Sequence, residues 1–150
     1  MKALANEYFL VTALAANPRF NAMHSLCAAN MENAKEKLNT PNSDNTRNFF
    51  LAYTAFDPWP SWSGVRFGST PMSSVMHVRN RLNEIFKVRH SFAHGFIMPG
   101  YSWNQNAAGT VHLSCSLIKS TSVFFSDLCR NTDKAMAVHI AAQHQLQAPW

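Results

Sequence analysis

Charge is scarce in this chain of 150 residues. Only 14% are Asp, Glu, Lys or Arg, against roughly 25% in ordinary soluble domains. Much of the polar surface must then come from Asn, Ser, Thr and Gln, and a thinly charged surface favours an oligomer that hides part of itself. Cysteine is scarce too. Cys27, Cys115 and Cys129 form an odd set with no Cys-x-x-Cys spacing, which argues against a disulfide framework and a sulfur-ligated zinc site and fits a reducing cytoplasm. Long hydrophobic runs are missing as well. The longest, residues 8 to 16, falls well short of the ~18 residues that a bilayer-spanning helix needs, so no membrane partner is expected. Lys2, the apolar Tyr8-Phe9-Leu10-Val11 and the small Ala13, Ala15 and Ala16 faintly resemble a signal peptide. Asn6 and Glu7 interrupt that pattern where its apolar region should begin, so a cytoplasmic location is expected.

What the chain does have is apolar residues, 47% of the total, and a basic balance of 13 Lys and Arg against 8 Asp and Glu, a formal charge of +5. The length suits one core and a single domain over residues 1–150. The charge makes an acidic partner such as nucleic acid plausible without proving one.

Helical spacing of apolar residues runs through most of the sequence. It predicts helices over residues 2–16 and 18–38, the second with Phe20, Met23, Leu26, Cys27, Met31, Ala34 and Leu38 inward and Lys35, Glu36 and Lys37 facing water. A shorter helix is expected over residues 46–56. Residues 57–71, with three prolines and two glycines, exclude regular helix and central strand. A long amphipathic helix follows, capped by Ser73 or Ser74 and stopped by Gly95. Residues 97–109 form a second long loop. A last helix is expected from about 116 to 145, with Asn131-Thr132-Asp133 bending or interrupting it. The expected fold is all-α, an antiparallel bundle of about five helices with two long loops.

The helix before Gly95 carries the chemistry. Val75, Val78, Leu82, Ile85, Phe92 and Phe96 recur in steps of three and four, and Arg89 stands where the series lacks an apolar residue. A guanidinium is therefore expected on the buried stripe, where it needs a carboxylate, a phosphate or a wet cleft. His90 and His94 lie one turn apart beside it. At about 100° per residue, Arg89 and His94 point roughly 140° apart. Either the last turn unwinds or a second subunit completes the site.

Residues 89 to 95, Arg-His-Ser-Phe-Ala-His-Gly, resemble the Arg-x4-6-His signature of the HEPN superfamily, whose small helical domains include metal-independent RNases of toxin, antiviral and RNA-processing systems. The polar residue after the Arg, the Ala-His-Gly ending and the long helix carry the likeness, which covers residues 73 to 96 as motif and the rest as helical layout. A second spacing match, Arg19-Phe-Asn-Ala-Met-His24, has Phe20 after its Arg and no Gly after its His, and reads as a decoy. One subgroup of the family has Tyr two residues after the motif His. This chain has Phe96 there.

The resemblance implies a homodimer whose cleft holds two copies of Arg89, His90 and His94. His94 would do acid and base work, Arg89 would clamp the phosphate and His90 would orient it, giving 2′,3′-cyclic phosphate products without metal or cofactor. It also implies an antitoxin or other protein partner, with a non-catalytic RNA-, nucleotide- or protein-binding module as the alternative. Outside that family stands a helical bundle whose Arg89 merely pairs with a carboxylate. His90 and His94 have the spacing of a two-His metal site, but the Glu of His-Glu-x-x-His is absent and the adjoining Arg89 opposes a cation. Arg79, Arg81 and Lys87 on the same helix, with Lys119, Arg130 and Lys134 on the last, form a basic patch suited to an RNA backbone. Trp59, Trp62, Arg66 and Phe67 in one loop, and Tyr101 and Trp103 in the other, either stack bases or pin their loops to the core.

Overall fold

The chain is mostly helical in a computed structural model that describes residues 21–38 and 40–145. Among these residues the order is α1 (Asn21–Lys37), α2 (Ser43–Thr54), a 3-10 turn (Trp59–Trp62), β1 (Arg66–Phe67), β2 (Thr70–Pro71), α3 (Val75–His94) and α4 (Cys115–His144). The helix expected over residues 2–16 and Arg19 of the second motif match lie outside the described residues. No helix among the described residues is long and apolar enough to cross a membrane. Two compact units emerge, one over Trp62–Asn131 and the other joining Met1–Ser61 with Thr132–Trp150. The helix α4 contributes residues to both and runs unbroken through Asn131-Thr132-Asp133, where Thr132 is fully buried.

In the second of these units α2 begins at Ser43, three residues earlier than apolar spacing indicates. The reason is Asn42, whose extended backbone and side-chain oxygen cap the helix by accepting from the Asn45 N–H at 2.8 Å. The helix ends where Ala55 turns left-handed at φ 52°. Met31, Phe49, Phe50, Phe56, Met136 and Ile140 form the core here. Phe50 sits at its centre with Phe56 edge-on at 5.9 Å, and full burial of one such ring contributes about 1.5–3 kcal/mol. Lys35 does not face water as expected: its side chain is buried and paired with Glu32, while Glu36 and Lys37 are exposed. The loop after α2 is pinned by Arg47, which donates to Asp57 and lies over the Trp59 ring at 4.3 Å, and by the Trp59 indole N–H, which donates to the Ser43 carbonyl.

In the Trp62–Asn131 unit the proline-rich segment folds into an ordered hairpin, with Arg66 opposite Pro71 and Phe67 opposite Thr70. Its turn uses Gly68 at φ +66°, where a Cβ would meet the Ser120 hydroxyl at 2.9 Å, so a side chain has no room there. Ser74 caps α3 and Gly95 stops it, as the sequence indicates. Its buried residues are Val78, Leu82, Ile85 and Val88. Trp62, Val65, Phe124 and Leu128 complete the unit's buried hydrophobic set.

One carboxylate fastens hairpin to helix. Asp127, 3% exposed, accepts from Arg66 Nε at 2.7 Å and Nη2 at 2.9 Å, from the Arg66 backbone N–H, and from Arg130. These hydrogen bonds, Arg66's above all, overcome the opposing effect of burial and hold the Asp127 carboxyl down at about 2. Because the folded state favours the ionised form, its stabilisation is complete above the ordinary value of 3.8 and is lost as pH falls toward about 2. Asp127→Asn is therefore expected to cost about 1–3 kcal/mol in denaturant titrations at pH 7. The native chain should lose that margin between pH 4 and pH 2, and the variant should not.

Candidate nucleic-acid interface

The end of α3 is built by one turn. Gly95 adopts φ 67° and ψ 21°, and its N–H and that of Phe96 both reach the Ser91 carbonyl, the latter at 2.9 Å. Glycine takes this left-handed conformation without a Cβ penalty. The helix therefore keeps regular geometry through His94, and the chain reverses directly afterwards. His90 and His94, one turn apart, bring their ring centroids to 4.4 Å. The reversal carries the Phe96 ring to 5.9 Å from each, nearly parallel to His94 at 27°. Both imidazoles are exposed, and Phe96 is 63% exposed.

Arg89 is not buried. It is exposed, and Val88 takes the inward position beside it. The apolar stripe nevertheless continues in register: on a helix of about 100° per residue, Arg89 lies about 40° from Ile85 and about 60° from Phe92. What ends is the cover. Phe92 is 74% exposed and Ile97 97%, so the last turns of α3 present a face like its buried one with nothing of the same unit over it. Among the described residues Arg89 has no carboxylate partner, so none of their acids makes the internal ion pair that sequence alone left open.

The other sequence candidates separate into two groups. Arg81 donates to Glu84 at 3.3 Å and its guanidinium lies 4.2 Å from the Phe67 ring and 5.3 Å from that of Trp103. Desolvation there pulls its pKa below the ordinary arginine value, against the opposing charge of Glu84. The Trp103 indole N–H donates to the same Glu84 oxygen at 2.9 Å, and Tyr101 stacks on Trp103. Burial, then the Glu84 charge, raises the Tyr101 pKa. Arg81 and Trp103 thus act as struts that hold the 97–113 loop and the hairpin, the role in which such aromatics pin loops to a core. Trp62 is fully buried, Arg79 is half-buried and Lys87 is exposed. Lys87 lies within about 60° of His90 and His94 on the helix surface, so this cation, rather than Arg89, shares the imidazole face.

The charge is unevenly placed. The Trp62–Asn131 unit holds Arg66, Arg79, Arg81, Lys87, Arg89, Lys119 and Arg130 against Glu84 and Asp127, so the whole formal +5 falls within it. Both acids are engaged with arginines of the same unit. Among the described residues Lys87, Arg89 and Lys119 have no carboxylate partner and all three are exposed. Such a surface attracts a polyanion. No group of three or more His, Cys, Asp or Glu suited to a metal ion occurs among the described residues. No protein-family model, curated protein or solved structure matches the chain.

Sequence reasoning missed two residues. Glu84 is the acid that Arg81 and Trp103 share, and its position three residues after Arg81 signalled the first of those contacts. Phe96 reads as one more member of the apolar stripe, yet Gly95 before it marks the reversal that brings its ring to the histidines. Trp103→Phe is expected to lower stability by about 1 kcal/mol in thermal unfolding while leaving nucleic-acid affinity unchanged. An affinity loss with unchanged stability would mark Trp103 as a ligand contact.

Proposed function

We propose that the chain is a metal-independent endoribonuclease that cleaves single-stranded RNA at a site completed by a second copy of itself. The observation that carries this reading is the end of α3: two exposed imidazoles 4.4 Å apart, with Arg89 exposed on the continuation of the buried stripe. The likeness of residues 89–95 to the HEPN signature supplies the reaction class. The unit's net charge of +5 suits a phosphate backbone.

Cleavage needs a base to take the ribose 2′-OH proton, an acid to protonate the departing 5′ oxygen, and positive charge on the pentacoordinate phosphorus between them. His94 is assigned the proton transfers, since an imidazole can both accept and donate a proton. Arg89 is assigned the phosphate clamp, where its planar fork matches two oxygens, and His90 orients the phosphate or the other imidazole. In a two-fold dimer of α3 ends, Arg89 of one copy serves the cleft that holds His94 of its partner. The bundle is then HEPN-like, and the biological setting in the cytoplasm is toxin–antitoxin or antiviral defence, with an antitoxin as the inhibitory partner.

A cleavage assay on single-stranded RNA with EDTA present tests this reading. The native chain should cut and leave 2′,3′-cyclic phosphate ends. Arg89→Ala and His94→Ala should each lower the rate at least about 100-fold, whereas alanine at Arg19 or His24 should leave it nearly intact. Cleavage that survives both of the first two substitutions refutes the assignment. RNA binding with no cleavage in any form favours the non-catalytic module.

A further inference from the structure

We infer that Phe96 is a base-stacking residue, on which an unpaired nucleobase lies while the adjoining phosphate meets Lys87. The inference rests on the RNA-site reading above and specifies how that site receives its strand. Four observations converge on it. The ring is 63% exposed although it is among the largest apolar groups of the chain. Its backbone is held in place by the Gly95 turn and the Phe96 N–H bond to the Ser91 carbonyl. Its ring lies beside both imidazoles, parallel to His94 within 27°, so a base laid on it is delivered next to the proposed proton-transfer groups. The cation that shares the imidazole face is Lys87, exposed and without a carboxylate partner among the described residues.

A cation beside an exposed aromatic ring is an arrangement by which proteins hold single strands: phosphates meet the cations, and bases stack in a way that tolerates any sequence. A duplex keeps its bases stacked on one another and has none to offer, so this surface selects unpaired nucleotides. The tryptophans that sequence alone offers for stacking are engaged elsewhere: Trp62 is buried, Trp59 lies under Arg47 and donates to the Ser43 carbonyl, and Trp103 donates to Glu84. Phe92 lies on the Arg89 side of the helix, about 160° from His94. Phe96 lies on the imidazole side.

The test measures binding of the full chain to three strands that lack 2′-OH groups and so resist cleavage: a single-stranded oligonucleotide, the same backbone without bases, and a duplex. Native protein should prefer the base-bearing single strand to both others. Phe96→Leu should weaken that complex roughly 5- to 100-fold, leave the abasic complex unchanged and keep the slope of log affinity against log salt. Phe96→Trp should retain tight binding. Lys87→Met should weaken both single strands alike and lower the salt slope by about one. Equal affinity of native protein for base-bearing and abasic strands overturns the inference. So does a Phe96→Leu chain that binds as the native one does, or one whose main change is a smaller mass by light scattering, since Phe96 would then cover a second copy. Because these strands resist cleavage, discrimination between them by a chain that cuts no RNA would remove the nuclease reading and leave Phe96 in its role.

Discussion

The regularity of α3 through His94 is the constraint from which the account of the site follows. A helix that keeps its hydrogen bonds to the last turn fixes the directions of its side chains, and five residues of separation place Arg89 and His94 about 140° apart. One straight helix does not aim both at a single phosphate. The Gly95 turn closes off unwinding as a way to bring them together, because both following N–H groups are spent on the Ser91 carbonyl. The remaining way is a second helix end.

Electrostatics and packing reinforce each other in the same unit. Glu84 and Asp127 are drawn into the fold by Arg81, Arg66 and Arg130, where they tie the hairpin, the second loop and two helices. Their engagement leaves the exposed Lys87, Arg89 and Lys119 without local neutralisation among the described residues. The arginines that hold the fold and the exposed cations without a carboxylate partner among the described residues are therefore different residues. Sequence counting, which treats all of them as one basic patch, does not separate the two.

The long helix was legible because its signals agree: Ser74 and Gly95 supply the caps, and the spacing of Val78, Leu82 and Ile85 supplies the buried stripe. The start of α2 was less legible, since Asn42 looks like one more turn residue until its side chain is seen to cap Asn45. Within the site, the adjacency of His90 and His94 follows from helical spacing alone. The exposure of Arg89 does not. Periodicity reports the direction of a side chain around a helix, whereas burial depends on how far along the helix another element continues, and that is set by tertiary packing. The same distinction explains Trp103, whose partner Glu84 lies 19 residues earlier and becomes a neighbour only when the loop folds back.

Mixing inactive chains tests the composite site most directly. Arg89→Ala and His94→Ala proteins, each unable to cut RNA alone, are unfolded together, refolded and assayed in EDTA. If one cleft takes its arginine from one copy and its histidine from the other, mixed dimers contain one intact site of the two, and cleavage returns to a substantial fraction of the native rate. A mixture as inactive as its components, with mixed dimers demonstrated by mass, would contradict the composite site.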